Sequence, residues 1–346
     1  MSYFIAQVSP SDSRSMAQID VLLEREGIRR DGNLDYICAM YDEDYNVVAT
    51  GSCFGDTLRC FAVSHEHQGE GLLNQIVSHL IEVQTQQGRL HLFLYTKTST
   101  AEFFGDLGFH EIARVDDTLV FMENRRKGFR RYLRELEQTR REGRSAALVM
   151  NANPFTLGHQ YLAETAAANC DTLHLFVLSE DASLVPFPAR RRMVEDGTAH
   201  LSNVILHDSG PYIISSATFP SYFLKDEASV IDGHARLDLA VFSKITQVLN
   251  ITARYVGEEP TSVVTGRYNQ IMAEELPRRG IECVVIPRKG AGGIPISAST
   301  VRACLKDNDF DTLRTLVPPT TFDFLSSAEA VPIIRRIHAA KDVIHY

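Results

Sequence analysis

Ala146-Ala147-Leu148-Val149-Met150-Asn151-Ala152-Asn153-Pro154-Phe155-Thr156-Leu157-Gly158-His159 is the stretch on which the fold turns. It opens on an apolar run, which predicts a buried strand over Ser145–Met150. Turn formers fill Asn151–Gly158. Good helix formers follow, with Leu162, Ala163, Ala166 and Ala167 predicting a helix over His159–Asn169. Strand, loop and helix in that order put the loop at the carboxyl end of a strand, where open α/β sheets bind ligands. A helix start there presents unpaired N–H groups and a positive dipole end to an anion. Gly158 lets the backbone approach a phosphate closely. His159 and Thr156 add donors that help most where charge develops in a transition state.

The pattern continues downstream. Thr172–Ser179 is a near-continuous apolar strand, Arg190–His200 a helix and Val204–His207 a strand. Leu237–Leu249 and Tyr268–Leu276 read as helices around the strand Ala253–Val256, and Glu282–Ile286 as a last strand. Strands alternating with helices imply parallel pairing through right-handed crossovers. Gly257-Glu258-Glu259-Pro260 follows a strand and is expected at the same edge as the phosphate loop. Arg267, Tyr268 and Asn269 begin a helix near that edge and are weaker candidates. Near the end, Pro287-Arg288-Lys289-Gly290 leads to Ile296-Ser297-Ala298-Ser299-Thr300-Val301-Arg302. Ser297 or Ser299 is a good N-cap for a helix through Leu305, a second helix start suited to phosphate. No G-x-x-x-x-G-K-S/T occurs, so a P-loop is excluded.

Upstream, residues 1–122 alternate short strands and amphipathic helices. Asp35–Met40, Val47–Cys53, Thr57–Val63, Leu90–Tyr95 and Val115–Met122 read as strands, Leu72–Gln87 and Ala101–Leu107 as helices. Three segments are therefore expected: 1–123, a basic linking helix over 124–144, and 145–346. Residues 124–144 carry nine Lys/Arg and three acids, +6 against −15 in the rest. Phe129, Tyr132, Leu133 and Leu136 give that helix one apolar stripe. Its cations are either a solvated face or a docking surface for an acidic partner.

Composition bounds the function. The chain has 346 residues, 44% hydrophobic and 23% charged, with net charge −9. That balance argues against general nucleic-acid binding. No apolar run approaches the ~20 residues of a membrane span, and residues 1–4 do not read as a signal peptide. Cys38, Cys53, Cys60, Cys170, Cys283 and Cys304 form no C-x-x-C pair, so no metal site is expected and reduced thiols in the cytoplasm are.

Thr156-Leu157-Gly158-His159 and Ile296–Arg302, in this order on this α/β pattern, resemble the H/T-x-G-H and I-S-x-S/T-x-x-R marks of the nucleotidyltransferase superfamily. Thr156 stands where many members have a second His. The resemblance implies a Rossmann-like doubly wound parallel sheet and catalytic roles for His159, Thr156 and Arg302. It implies nucleotide or phosphate contacts from Asn151, Asn153, Phe155, Gly158, Gly257, Glu258, Ser297, Ser299 and Thr300. Ser64-His65-Glu66-His67-Gln68-Gly69-Glu70-Gly71 and Phe103–Phe109 resemble GNAT acetyltransferases, an α+β fold whose loop wraps the pyrophosphate of coenzyme A. Gln68, Gly69 and Gly71 would form that loop. Glu66 departs from the Gln or Arg of the pattern, which leaves a CoA-like ligand and a structural or partner-docking domain both open.

A GNAT-like domain joined to a nucleotidyltransferase domain resembles the citrate (pro-3S)-lyase ligase family over nearly the whole chain. It also rests on Tyr212–Phe223 and Arg254–Pro260. The resemblance implies that acetate attacks ATP, with Mg2+ on the phosphates, to give acetyl-adenylate and pyrophosphate. The acetyl would then pass to the CoA-derived prosthetic thiol of the citrate lyase acyl carrier subunit. Tyr212–Phe223 is either packed loop or an acetate pocket containing Ser215 and Tyr222. Rival readings are an adenylyltransferase acting on phosphopantetheine or nicotinamide mononucleotide, a GNAT-type acetyltransferase with a regulatory nucleotide domain, and a non-enzymatic nucleotide sensor.

Overall fold

The computed structural model describes residues 2–213, 219–220, 227–259, 262–288, 290–291 and 294–340. It divides into two units, 1–131 with 220–233, and 132–219 with 234–346.

The first unit is built on one seven-stranded sheet. Its strands and helices run β1 (Phe4–Gln7), α1 (Ser13–Arg25), β2 (Tyr36–Tyr41), β3 (Val47–Phe54), β4 (Thr57–Val63), α2 (Leu72–Gln86), β5 (Phe93–Thr96), α3 (Ala101–Asp106), β6 (His110–Val115) and β7 (Leu119–Glu123). The strand order is β1-β2-β3-β4-β5-β7-β6. All neighbours are antiparallel except β4 and β5, which pair only at Thr57–Phe93 and Leu58–Leu94. The apolar stripe of α2, with Ile76, Val77 and Leu80, is buried on this sheet. Gly51 of β3 permits the approach, since a Cβ there would lie 2.5 Å from Ile76. Where the sequence predicts one strand over Val115–Met122, the chain instead folds back into the β6–β7 hairpin. Asp116 adopts a left-handed φ of 35°, and both the amide and the hydroxyl of Thr118 donate to Val115 O.

The second unit carries a parallel sheet. A helix α4 (Gly128–Glu137), which straddles the division, is followed by β8 (Ser145–Met150), α5 (Leu157–Ala167), β9 (Thr172–Val177), α6 (Phe187–Thr198) and β10 (Val204–Asp208). Then come α7 (Glu227–Leu249), β11 (Ile251–Gly257), α8 (Val263–Arg278), β12 (Glu282–Ile286), a short ribbon of β13 (Gly290–Ala291) and β14 (Ile294–Pro295), and α9 (Ala298–Asp307). Three further helices close the unit, α10 (Phe310–Leu316), α11 (Pro319–Leu325) and α12 (Val331–Ala339). The sheet order is β10-β9-β8-β11-β12, every pair parallel. The chain winds outward from β8 through β9 to β10, then returns to β11 on the other side of β8. The order therefore reverses between β8 and β11, and the loops leaving their carboxyl ends diverge to open a crevice. This is the fold class the sequence predicts.

Candidate active site

A cavity of about 640 Å3 occupies that crevice. The β8–α5 loop lines it through Asn151, Asn153 and Thr156, and the first turn of α5 through Gly158 and His159. The end of β11 contributes Gly257 and Glu258, and the start of α9 contributes Ser297, Ser299, Thr300 and Arg302. Residues about 140 positions apart thus meet at one sheet edge. The volume falls in the range of small-molecule sites.

Thr156 is the N-cap of α5 and His159 its third residue. The Thr156 amide donates to His159 Nδ1 at 3.1 Å, and the His159 amide donates back to Thr156 Oγ1 at 3.3 Å. A backbone N–H only donates, so Nδ1 is an acceptor and the neutral ring carries its proton on Nε2. Burial, then the charge of Arg288, pushes the imidazole down to about 4. At neutral pH the ring therefore offers one Nε2–H donor and no charge. Thr156, 1% exposed, is committed to the cap. Beneath the ring, Phe155 is fully buried and stacked on His159 at 5.8 Å and 18°. It lines no part of the cavity and acts as a floor for the imidazole.

Ser297 caps α9 by accepting from the Thr300 amide at 3.0 Å. The two helix starts are locked together. Gly158 lies so near the segment before α9 that a Cβ would stand 3.2 Å from Ile296 O. The glycine thus accommodates a protein backbone as well as any ligand. Arg302, 5% exposed, donates to Asn153 O and, at 3.1 Å, to Ser299 Oγ, while its buried Nε has no partner. Burial lowers its pKa from the ordinary arginine value.

Arg190 is a residue the sequence pattern did not single out. It is fully buried on α6. Its Nη1 donates to Asn151 O (2.9 Å), Asn151 Oδ1 (2.7 Å) and Leu178 O (2.7 Å), its Nε to Val185 O (2.9 Å), and its Nη2 to Glu180 O. One guanidinium therefore ties the loop after β8 to the loop after β9. Ser183 engages the remaining side of the Asn151 amide at 3.0 Å, and Asn153 Oδ1 accepts from Val185 N at 3.0 Å. Only the many arginines of Arg190-Arg191-Arg192 hinted at this, and nothing in them distinguishes the buried one.

On the β11 side, Asn269 donates to Gly257 O at 2.9 Å and Arg288 donates to Glu258 O at 2.9 Å. Arg288 also pairs with Glu259, and both line the cavity. Tyr268 does not reach it: its hydroxyl donates to buried Asp238, which lies 3.6 Å from Arg254 Nη1. Ser262 and Thr265, at the start of α8, line the cavity although the sequence placed that helix start at Tyr268. Ser215, Tyr222 and Lys289 lie outside the described residues.

In the first unit, a second cavity of about 700 Å3 is lined by Gln68, Gly69 and Gly71. It opens where β4 and β5 part, and Phe61, Tyr95 and Phe104 supply apolar wall. Gly69 and Gly71 adopt φ of 88° and 76°, a conformation that favours glycine, and Gly71 caps α2. Glu66 is exposed and absent from the lining.

Residues 145–325 match the family model described as the citrate lyase ligase C-terminal domain. The citrate (pro-3S)-lyase ligase of Klebsiella pneumoniae is 42% identical over 295 residues, 84% of this chain and 86% of that protein. The enzyme of the same name from Haemophilus influenzae is 36% identical over 322 residues, covering 91% and 96%. This chain belongs to the citrate (pro-3S)-lyase ligase family. It is thereby a member of an enzyme family. The Escherichia coli member is 36% identical over 328 residues, 93% of each chain. Among solved structures, a GNAT-family acetyltransferase from Staphylococcus aureus is 14% identical with TM-score 0.31, covering 36% of this chain and 100% of that one. Among the described residues no helix is long and apolar enough to cross a membrane.

Proposed function

We propose that the second-unit cavity binds ATP and adenylates acetate, and that the acetyl group then passes to a carrier thiol, activating citrate lyase. An acetate oxygen attacks the α-phosphorus, and the bond from that phosphorus to the bridging oxygen of the leaving diphosphate breaks. Acetyl-adenylate and pyrophosphate result. The thiol of the phosphoribosyl-dephospho-CoA group on the citrate lyase acyl carrier subunit then attacks the acetyl carbonyl, loses its proton and releases AMP. Adenylation makes sense of the order, because a carboxylate is a poor acyl donor until its oxygen becomes part of a leaving group.

The observation that carries this reading is the convergence of two capped helix starts, at Thr156–His159 and Ser297–Arg302, on one crevice at the sheet's switch point. Phosphoryl-type transfer asks mainly for positioning and charge stabilisation. Here α5 and α9 supply amides, His159 Nε2–H supplies a neutral donor, and Arg302 supplies positive charge, with Arg288 beside it paired to Glu259. Asn151, Asn153, Gly257 and Glu258 hold the crevice walls around the nucleotide. Mg2+ would neutralise the phosphates. It would be held largely by phosphate oxygens and water. Of the two carboxylates on the lining, Glu258 is exposed and Glu259 pairs with Arg288. Gln68, Gly69 and Gly71 of the first unit would receive the CoA-derived arm. The protein would work in the cytoplasm, in keeping with six free cysteines.

Pyrophosphate release from ATP, measured with acetate and with or without the acyl carrier protein, tests the reading. Acetate-dependent release is expected. Release only with phosphopantetheine or nicotinamide mononucleotide would turn the assignment to an adenylyltransferase. Carrier acetylation from acetyl-CoA without ATP would turn it to a GNAT-type acetyltransferase.

A further inference from the structure

Helix α4 places its charges against its own stability. Its apolar stripe is satisfied, since Phe129 and Leu136 are buried. Its start is anchored, because the Phe129 amide donates to Glu123 Oε1 at 2.7 Å and His91 holds the other oxygen of that carboxylate at 2.6 Å. The remaining surface carries cations. Arg125, Arg126, Lys127, Arg130 and Arg134 are all exposed, and none of them has an ion pair among the described residues. Some arginines elsewhere on the surface, Arg30, Arg114, Arg191, Arg192 and Arg236, each face a carboxylate.

One local rule is broken. The Glu123 carboxylate already answers the positive end of α4 through the Phe129 amide, so the conflict lies along the helix and not at its start. Arg126, Arg130 and Arg134 recur every four residues, so like charges stand on neighbouring turns of one stripe. None of these three has an ion pair among the described residues, although the rest of the protein carries −15. A local conflict of this kind points to a purpose outside the fold. Arginine dominates the stripe, and its planar fork grips carboxylates with two parallel hydrogen bonds.

We propose that the cationic face of α4 docks an acidic face of the protein that bears the acceptor thiol. This rests on the reading that the acetyl acceptor is a protein-borne thiol. The charge complement steers encounter and fixes register, while the chemistry proceeds in the nucleotide cavity. A protein partner is favoured over nucleic acid because the chain as a whole is acidic and repels a long polyanion.

The test is the R126E/R130E/R134E variant of the full chain. Its direct binding to the purified acyl carrier protein is measured by fluorescence anisotropy across ionic strength. The wild type should bind with a steep salt dependence, and the variant at least about 10-fold more weakly with a flat one. Acetate-dependent pyrophosphate release without carrier should be unchanged, and the thermal midpoint close to that of the wild type, because R130E suits the positive end of the helix dipole while R134E, in the last turn, opposes it at the other. Equal carrier affinity and an equal salt slope would overturn the proposal. So would wild-type binding to duplex DNA as tight as to the carrier, or a wild-type oligomer that dissociates on charge reversal. Carrier binding that is lost in the variant, in a protein that shows no acetate-dependent release, would leave the docking surface standing and sink the adenylation reading instead.

Discussion

His159 joins two tasks in one side chain. Its Nδ1 closes the α5 cap, which fixes the ring and forces the proton onto Nε2; its buried setting then keeps that donor neutral. Substitution can separate the two. In His159→Gln, glutamine at the third helical position can accept from the Thr156 amide and keep the capping box. Folding stability is expected within about 1 kcal/mol of wild type. Adenylation turnover should fall by about 100- to 1000-fold, the scale for one lost donor at a developing negative charge. Steady-state pyrophosphate release and denaturant melts check both halves. Near-normal turnover would remove the imidazole from the chemistry. Thr156 is the cap itself, and its hydroxyl oxygen accepts from the His159 amide.

At the scale of elements, the site is a junction of α5, α6 and α9 over the edge of β8. Phe155 transmits packing from α6 to the imidazole. Gly197 of α6 faces its ring so closely that a Cβ would stand 2.4 Å from Phe155 Cε1. In Gly197→Ala the ring must move, with an overpacking cost of about 1–3 kcal/mol. The ring is stacked on His159, so turnover should drop together with the unfolding midpoint. A variant lower in stability but unchanged in turnover would show that Phe155 does not position the imidazole. Much of this junction was legible in sequence, because Thr156–His159 and Ile296–Arg302 carry local signals: a cap, a glycine, a helix start. Arg190 was not, since its five acceptors are backbone and amide oxygens brought together only by the fold. The same holds for β1, α1 and the closing helices α10–α12, which supply packing rather than chemistry. The β6–β7 hairpin was missed because its turn, Asp116-Asp117-Thr118, sits inside an otherwise strand-like run.

Over the whole molecule, buried histidines set the response to acid. His159 and His174 are pushed down to about 4 and His207 to about 3, burial being the first cause in each. His174 Nδ1 and His207 Nε2 lie 2.9 Å apart within the sheet, so that pair behaves as one unit. The unfolded chain titrates these groups near 6.5, so it binds protons that the fold refuses. Stability is therefore complete above about pH 6.5 and falls as pH drops towards about 4, by about 1.4 kcal/mol per unit for each group that acts independently. Denaturant midpoints at about pH 7, 6 and 5 should decline in that order; equal midpoints would contradict the burial of these rings.

Acetyl-adenylate formation is the step proposed for the crevice between β8 and β11. Exchange of labelled pyrophosphate into ATP, followed with acetate and without any carrier protein, reads that step alone. Acetate-dependent exchange by the wild type is expected, with a fall of about 100- to 1000-fold in His159→Gln. No acetate-dependent exchange, or exchange that survives His159→Gln intact, would contradict it.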